Sequence, residues 1–164
     1  MKKFELTSEF VTFLGKTLFR IKALVSFGDV AEGELGGFIE RENNLDQSGD
    51  AWVSGNAQVF GNAWVSGDAR VYGDAQVCGD AQVCGDAWVQ NCRDYSATSC
   101  FGSENRTTTF FRTKDGGISV RCGCFYGTLR EFREKVKERH GDSRLAKEYL
   151  MLADLMEFRL SKDE

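Results

Sequence analysis

A chain of 164 residues with 41% apolar and 28% charged side chains is sized for one domain with appendages, and that balance excludes a disordered segment. The formal charge of −4 is unevenly placed: residues 49–90 carry five aspartates against Arg70 alone, whereas residues 91–139 carry ten Lys or Arg against six Asp or Glu. An acidic rod beside a basic module is implied, two surfaces that face each other, a protein partner or nucleic acid.

The chain lacks a run of about 18 apolar residues, and its start, "MKKFELTSEF", has two lysines with no apolar stretch behind them, so the expected location is cytoplasmic, with no membrane partner. In a reducing compartment the cysteines at 78, 84, 92, 100, 122 and 124 are free thiols. Residues 3–24 alternate apolar and polar and turn at Leu14-Gly15-Lys16, which predicts a β-hairpin running into a loop, "VSFGDVAEGELGG".

From Gly49 to Gln90 the chain repeats six residues seven times, "GDAWVS GNAQVF GNAWVS GDARVY GDAQVC GDAQVC GDAWVQ". Each unit offers one β-branched valine for the inside of a strand, variable neighbours that strand alternation turns outward, and Gly-Asp or Gly-Asn as turn chemistry. Written from its valine, the unit Val-X-Gly-(Asp/Asn)-Ala-X resembles the hexapeptide repeat of left-handed parallel β-helices, in which three turns close a coil and residue i stacks on i+18. Ile39 and Leu45 extend the valine register upstream, with two extra residues before Val53, giving nine strands or about three coils. Each buried valine stabilises such a rod by about 1.5–3 kcal/mol. Its two ends expose unpaired backbone and need caps.

Beyond the rod, residues 91–106 read as a loop, and "TTTFFRTKDGGISVRCGCF" as a hairpin turning at Lys114-Asp115-Gly116-Gly117. Thr128 and Glu131 form a capping box that starts a helix ending at Gly141. A final helix over 143–160 is apolar at Leu145, Tyr149, Leu152, Met156 and Leu160, while Leu150, Leu155 and Phe158 lie off that stripe and are expected to meet a neighbouring chain. The fold class is thus mainly β: a short left-handed parallel β-helix over 38–90, an N-terminal β-hairpin cap and loop over 1–37, and a C-terminal hairpin with two α-helices over 91–164.

Several constellations are candidates for function. An outward column of Trp52, Arg70 and Trp88, with Tyr72 alongside, allows cation–π stacking and forms a rigid aromatic strip. Arg130, Arg133 and Lys137, with Arg106, Arg112, Lys114, Arg121, Lys135 and Arg139, could contact phosphates while Phe110 or Phe111 stacks on a base, although Glu131, Glu134 and Glu138 interleave as on a solvated helix face. The corner aspartates at 50, 68, 74, 80 and 86 could imitate a phosphate backbone, or simply be good turn residues. His140, the only histidine, falls on the last turn of its helix, where it reads as a structural residue, not a base. Cys122 and Cys124 alternate to one strand face and could join Cys92 and Cys100 around zinc, but their spacing lacks a knuckle, so buried thiols are expected and neither metal nor cofactor. Cys78 and Cys84 are outward by register.

Three segments, "LFRIKALVSFGDVAEGELGGFIERENNL", the "GDAWV/GNAQV" units and "GGISVRCGCFYGTLREFREKV", together resemble a group of phage and prophage hexapeptide-repeat proteins. The resemblance implies the architecture and a phage or prophage origin in the cytoplasm of a host cell, and transfers no catalytic residues. It makes a non-catalytic, homo-oligomeric binder the expectation, one that inhibits or sequesters a host protein or ribonucleoprotein in an anti-defence role such as CRISPR-Cas inhibition. The alternatives are a hexapeptide acyltransferase with an atypical base and a structural homo-oligomeric assembly module.

Overall fold

The computed structural model describes residues 1–162. Strands β1 (Phe4–Phe13) and β2 (Lys16–Ala23) form the expected antiparallel hairpin. Its two-residue turn puts Leu14 and Gly15 both at positive φ, the geometry that matches the twist of a tight hairpin. The stretch expected to be wholly loop ends differently: β3 (Leu35–Ile39) pairs antiparallel with β2 and then parallel with the repeats, so it joins hairpin to rod. Gly36 and Gly37 permit this crossing, because a Cβ there would lie 2.5 Å from the Val53 carbonyl oxygen and 2.7 Å from that of Ala57.

Each repeat contributes a two-residue strand: β4 (Trp52–Val53), β5 (Gln58–Val59), β6 (Trp64–Val65), β7 (Arg70–Val71), β8 (Gln76–Val77), β9 (Gln82–Val83) and β10 (Trp88–Val89). They pair in parallel at a separation of 18 residues, as β4-β7-β10, β5-β8 and β6-β9, while β3 pairs with β5 and Leu45 bridges Val65 at a separation of 20, the two extra residues before Val53. All seven valines, together with Ile39, Leu45 and the repeat alanines, are buried in one continuous core. The inward register read from the valines is therefore the register of the fold. Between Ile39 and Val53 a short 3-10 turn, Glu42–Asn44, takes up the irregular spacing, and the buried Asn44 amide donates to the carbonyls of Gly61 and Ala63.

Residues 91–106 are not a loop throughout, because β11 (Tyr95–Phe101) pairs antiparallel with β12 (Arg106–Arg112). With β13 (Ile118–Cys122) and β14 (Phe125–Thr128) they form a four-stranded antiparallel sheet. The strand escaped the sequence because "YSATSCF" is small, polar and only partly buried, with no alternation to mark it. Cys124 does not share a strand face with Cys122: Cys122 pairs with Phe125, leaving Gly123 and Cys124 as the turn. Helices α1 (Leu129–His140) and α2 (Arg144–Leu160) follow, the first opened by the Thr128/Glu131 capping box and the second by Ser143.

Strand β12 is the wall between two cores. Phe111 points into the end of the repeat stack, and its neighbour Phe110 points the other way, into the core formed by α1, α2 and the sheet. At the opposite end Lys3 closes the stack, its ammonium donating to the carbonyls of Ala51, Gly49 and Ser48 at 2.8, 3.2 and 3.4 Å. Both ends of the repeat backbone are thereby capped by the chain itself. No helix of the described residues is long and apolar enough to cross a membrane.

Candidate interaction surface

The aromatic column is divided by the chain's own N-terminus. Trp52 projects away from the stack as alternation requires, but it is only 2% exposed, enclosed by Phe4 and Phe27 at ring-centroid distances of 6.5 and 5.4 Å. Arg70 is held by the Asp29 carboxylate and the Asp50 carbonyl, and takes part in none of the cation–π contacts among the described residues. What stays outside is Trp88, 38% exposed, edge-on to Tyr72 at 6.0 Å and capped by the Lys114 ammonium at 5.6 Å. The neighbouring face is covered too, since the hairpin packs Leu18 on Phe38 and Phe60.

At the corners Asp68, Asp74, Asp80 and Asp86 are exposed, and Asn62 donates to Asp80 at 3.2 Å across one layer. Glu40 ties the hairpin to the rod, and the Gly61 N–H, donating at 2.7 Å, and the Lys16 ammonium at 3.1 Å hold its carboxyl below the ordinary range. Cys84, expected on the outside, is buried beneath the C-terminal sheet, and burial pushes its thiol pKa up. Cys78 is half-buried for the same reason, packed beside the hairpin residues. Among the described residues no group of three or more His, Cys, Asp or Glu has metal-binding geometry.

The basic module is largely paired within the chain. Arg112 bridges Asp94 at 2.9 Å and the Leu160 carbonyl at 2.7 Å, fastening α2 to the sheet. Arg133 binds Asp154 and Glu157 of α2 at 2.8 and 2.7 Å, Arg130 binds Glu134, Lys135 binds Glu138, and Arg121 donates to Gln82. Lys137 is exposed on α1. Phe110 and Phe111 are fully buried, so neither is the base-stacking aromatic that the sequence suggested. His140 stacks on Tyr149 at 5.6 Å beside a cavity of about 230 Å³ shared with Cys122, Cys124 and Arg106.

A row of exposed apolar side chains forms a ridge on α2. Met151, Leu155 and Phe158 are 71, 57 and 85% exposed, while Tyr149, Leu152, Met156 and Leu160 bury the opposite side of the helix. The spacing 151, 155, 158 is one face of a helix, so the three side chains stand in a row. Beside them lies an open cavity of about 960 Å³ that also takes in Arg93, just before β11, and Ser96 within it. Leu155 and Phe158 were legible as off-stripe residues; Arg93 and Arg159 were not, because nothing in the sequence brings residues 91–96 against α2.

One protein-family profile, described as the YdcK Beta solenoid repeat, matches residues 57–73 and 63–79. The match covers two overlapping segments of the central repeats and supports a β-solenoid repeat protein. No curated protein matches the chain significantly.

Proposed function

We propose that this chain is a non-catalytic binding protein in which a left-handed β-helix of about three coils serves as a rigid scaffold for an exposed docking surface. The 18-residue pairing of Val53 with Val71, and of Val71 with Val89, supports the three-coil reading, since three six-residue sides return the chain above itself. The observation that carries the function is the ridge of Met151, Leu155 and Phe158. Three large apolar side chains held in water on a helix that is otherwise packed mark a surface awaiting a partner. Trp88 on Tyr72 is a second outward aromatic edge of the same scaffold.

The resemblance of the flanking segments to phage and prophage proteins makes a host defence component the first partner class to test. Affinity capture from bacterial lysate with the wild-type chain and with a Leu155→Ser/Phe158→Ser variant, followed by identification of bound protein and nucleic acid, is the experiment. Capture lost in the variant supports docking on the ridge. Equal capture by both, or self-association through the ridge with no other partner, refutes it, the latter in favour of an assembly module. Incubation with acetyl-CoA and mixed amine acceptors is expected to release thiol no faster than the blank, and turnover that disappears in His140→Ala would establish an acyltransferase instead.

A further inference from the structure

The surroundings of the α2 ridge specify the charge of what docks there. Its cavity is floored by Leu155, Met156 and Phe158 and rimmed by Arg93, Arg159 and Lys162, and none of the described residues lining it is a carboxylate. The nearest acids on α2, Asp154 and Glu157, face Arg133 and are bound by it at 2.8 and 2.7 Å. Arg112, also at the rim, is already committed to Asp94 and the Leu160 carbonyl. Arg93 and Arg159 make no ion pair with any described residue, although the chain as a whole is acidic. An apolar floor ringed by cations that pair with none of the described carboxylates is a combination that water-facing surfaces do not need.

A second copy of the chain fits this surface badly. Two-fold antiparallel pairing of α2 along the ridge lays Lys147 toward one end of the helix against Arg159 and Lys162 at the other, like charge on like, whereas Arg144 is offset by Glu148 at 3.8 Å. The ridge from Met151 to Phe158 is about 10 Å long at 1.5 Å per residue, two turns of a facing helix. Apolar anchors on one helix face meeting a row on another is a standard mode of segment recognition. We infer that the α2 cavity docks an acidic amphipathic helix of a partner protein, with bulky apolar anchors against Leu155 and Phe158 and carboxylates toward Arg93, Arg159 and Lys162. This rests on the reading of the ridge as a docking surface and adds the partner's chemistry.

The test uses the full chain and a fluorescein-labelled synthetic helix with leucines along one face and glutamates flanking them, followed by anisotropy. Saturable binding is expected, weakening as salt rises, lost in Leu155→Ser/Phe158→Ser, and at least tenfold weaker in Arg93→Glu/Arg159→Glu/Lys162→Glu. The same helix with lysines for glutamates should bind the charge-reversed variant better than it binds the wild type. Thermal melts of both variants should match the wild type, because the substituted side chains are all exposed. Absence of saturable binding, equal binding of the lysine helix to the wild type, or a stronger preference for anionic vesicles or single-stranded DNA overturns the inference. A lysate partner lost with Leu155→Ser/Phe158→Ser yet retained by the charge reversal also overturns the acidic partner, while leaving the docking surface standing.

Discussion

Two glycine substitutions at different repeat corners separate stacking from mere turn geometry. Gly67 and Gly79 have the same left-handed conformation, φ +67° and +66°, but a Cβ on Gly67 would meet the backbone of Gly85, at 2.9 Å from its nitrogen and 3.3 Å from its Cα and oxygen. A Cβ on Gly79 would meet nothing within 4 Å. Gly79→Ala therefore carries only the left-handed penalty, about 1–2 kcal/mol, less the roughly 0.4–1 kcal/mol by which alanine restricts the unfolded chain. Gly67→Ala adds a collision between layers that is relieved only by stretching the bonds between those layers, Asp68 N to Gly85 O at 2.9 Å and Arg70 N to Ala87 O at 2.8 Å. Overpacking of this kind costs about a further 1–3 kcal/mol. Urea unfolding followed by circular dichroism should place Gly67→Ala below Gly79→Ala by more than about 1 kcal/mol, roughly fivefold in the folding equilibrium. Equal losses would refute the stacking of corner upon corner.

Other consequences follow from the same contacts. Burial, only partly offset by the carboxylates of Asp46 and Asp50, lowers Lys3 from 10.5 to about 8. Between those values the unfolded chain holds a proton that the folded chain has released, so the Lys3 contribution to stability rises with pH there. The stability difference between wild type and Lys3→Met should shift toward the wild type by about 1–2 kcal/mol from roughly pH 7.5 to 9.5, and a flat difference contradicts the buried ammonium. Trp52 has an indole N–H without a partner among the described residues, so Trp52→Phe should be neutral or stabilising by up to about 1 kcal/mol, whereas Trp52→Ala should cost about 3–5 kcal/mol in thermal or urea unfolding. In iodoacetamide labelling followed by mass spectrometry, Cys92, Cys100 and Cys124 should react in the native state, and Cys84 only when the C-terminal sheet is unfolded.

The repeat was readable because its valines, alanines and Gly-Asp corners all say the same thing, and six-residue periodicity leaves little choice of register. The capping box of α1 and the tight turn at Leu14-Gly15 were equally local, each fixed by two or three residues. What escaped was tertiary. Strand alternation correctly sent Trp52, Cys78 and Cys84 outward from the rod, but it contains no information on whether another part of the chain lies there. Phe110 and Phe111 looked like one aromatic pair in a basic segment; only the position of β12 between two cores assigns them to opposite sides. Likewise, Arg112, Arg121 and Arg133 count as basic charge in the sequence and as bridging groups in the fold, so the surface left for a partner is smaller and elsewhere.

Hydrogen–deuterium exchange on the full chain, free and with the partner captured from lysate, tests the docking claim most directly. New protection should be confined to residues 151–159 of α2 and to the 91–96 segment across the cavity from it. Protection centred on Trp88 and the repeat faces, or around His140 and the cleft it shares with Cys122 and Cys124, would contradict the account and move the working surface to another part of the molecule.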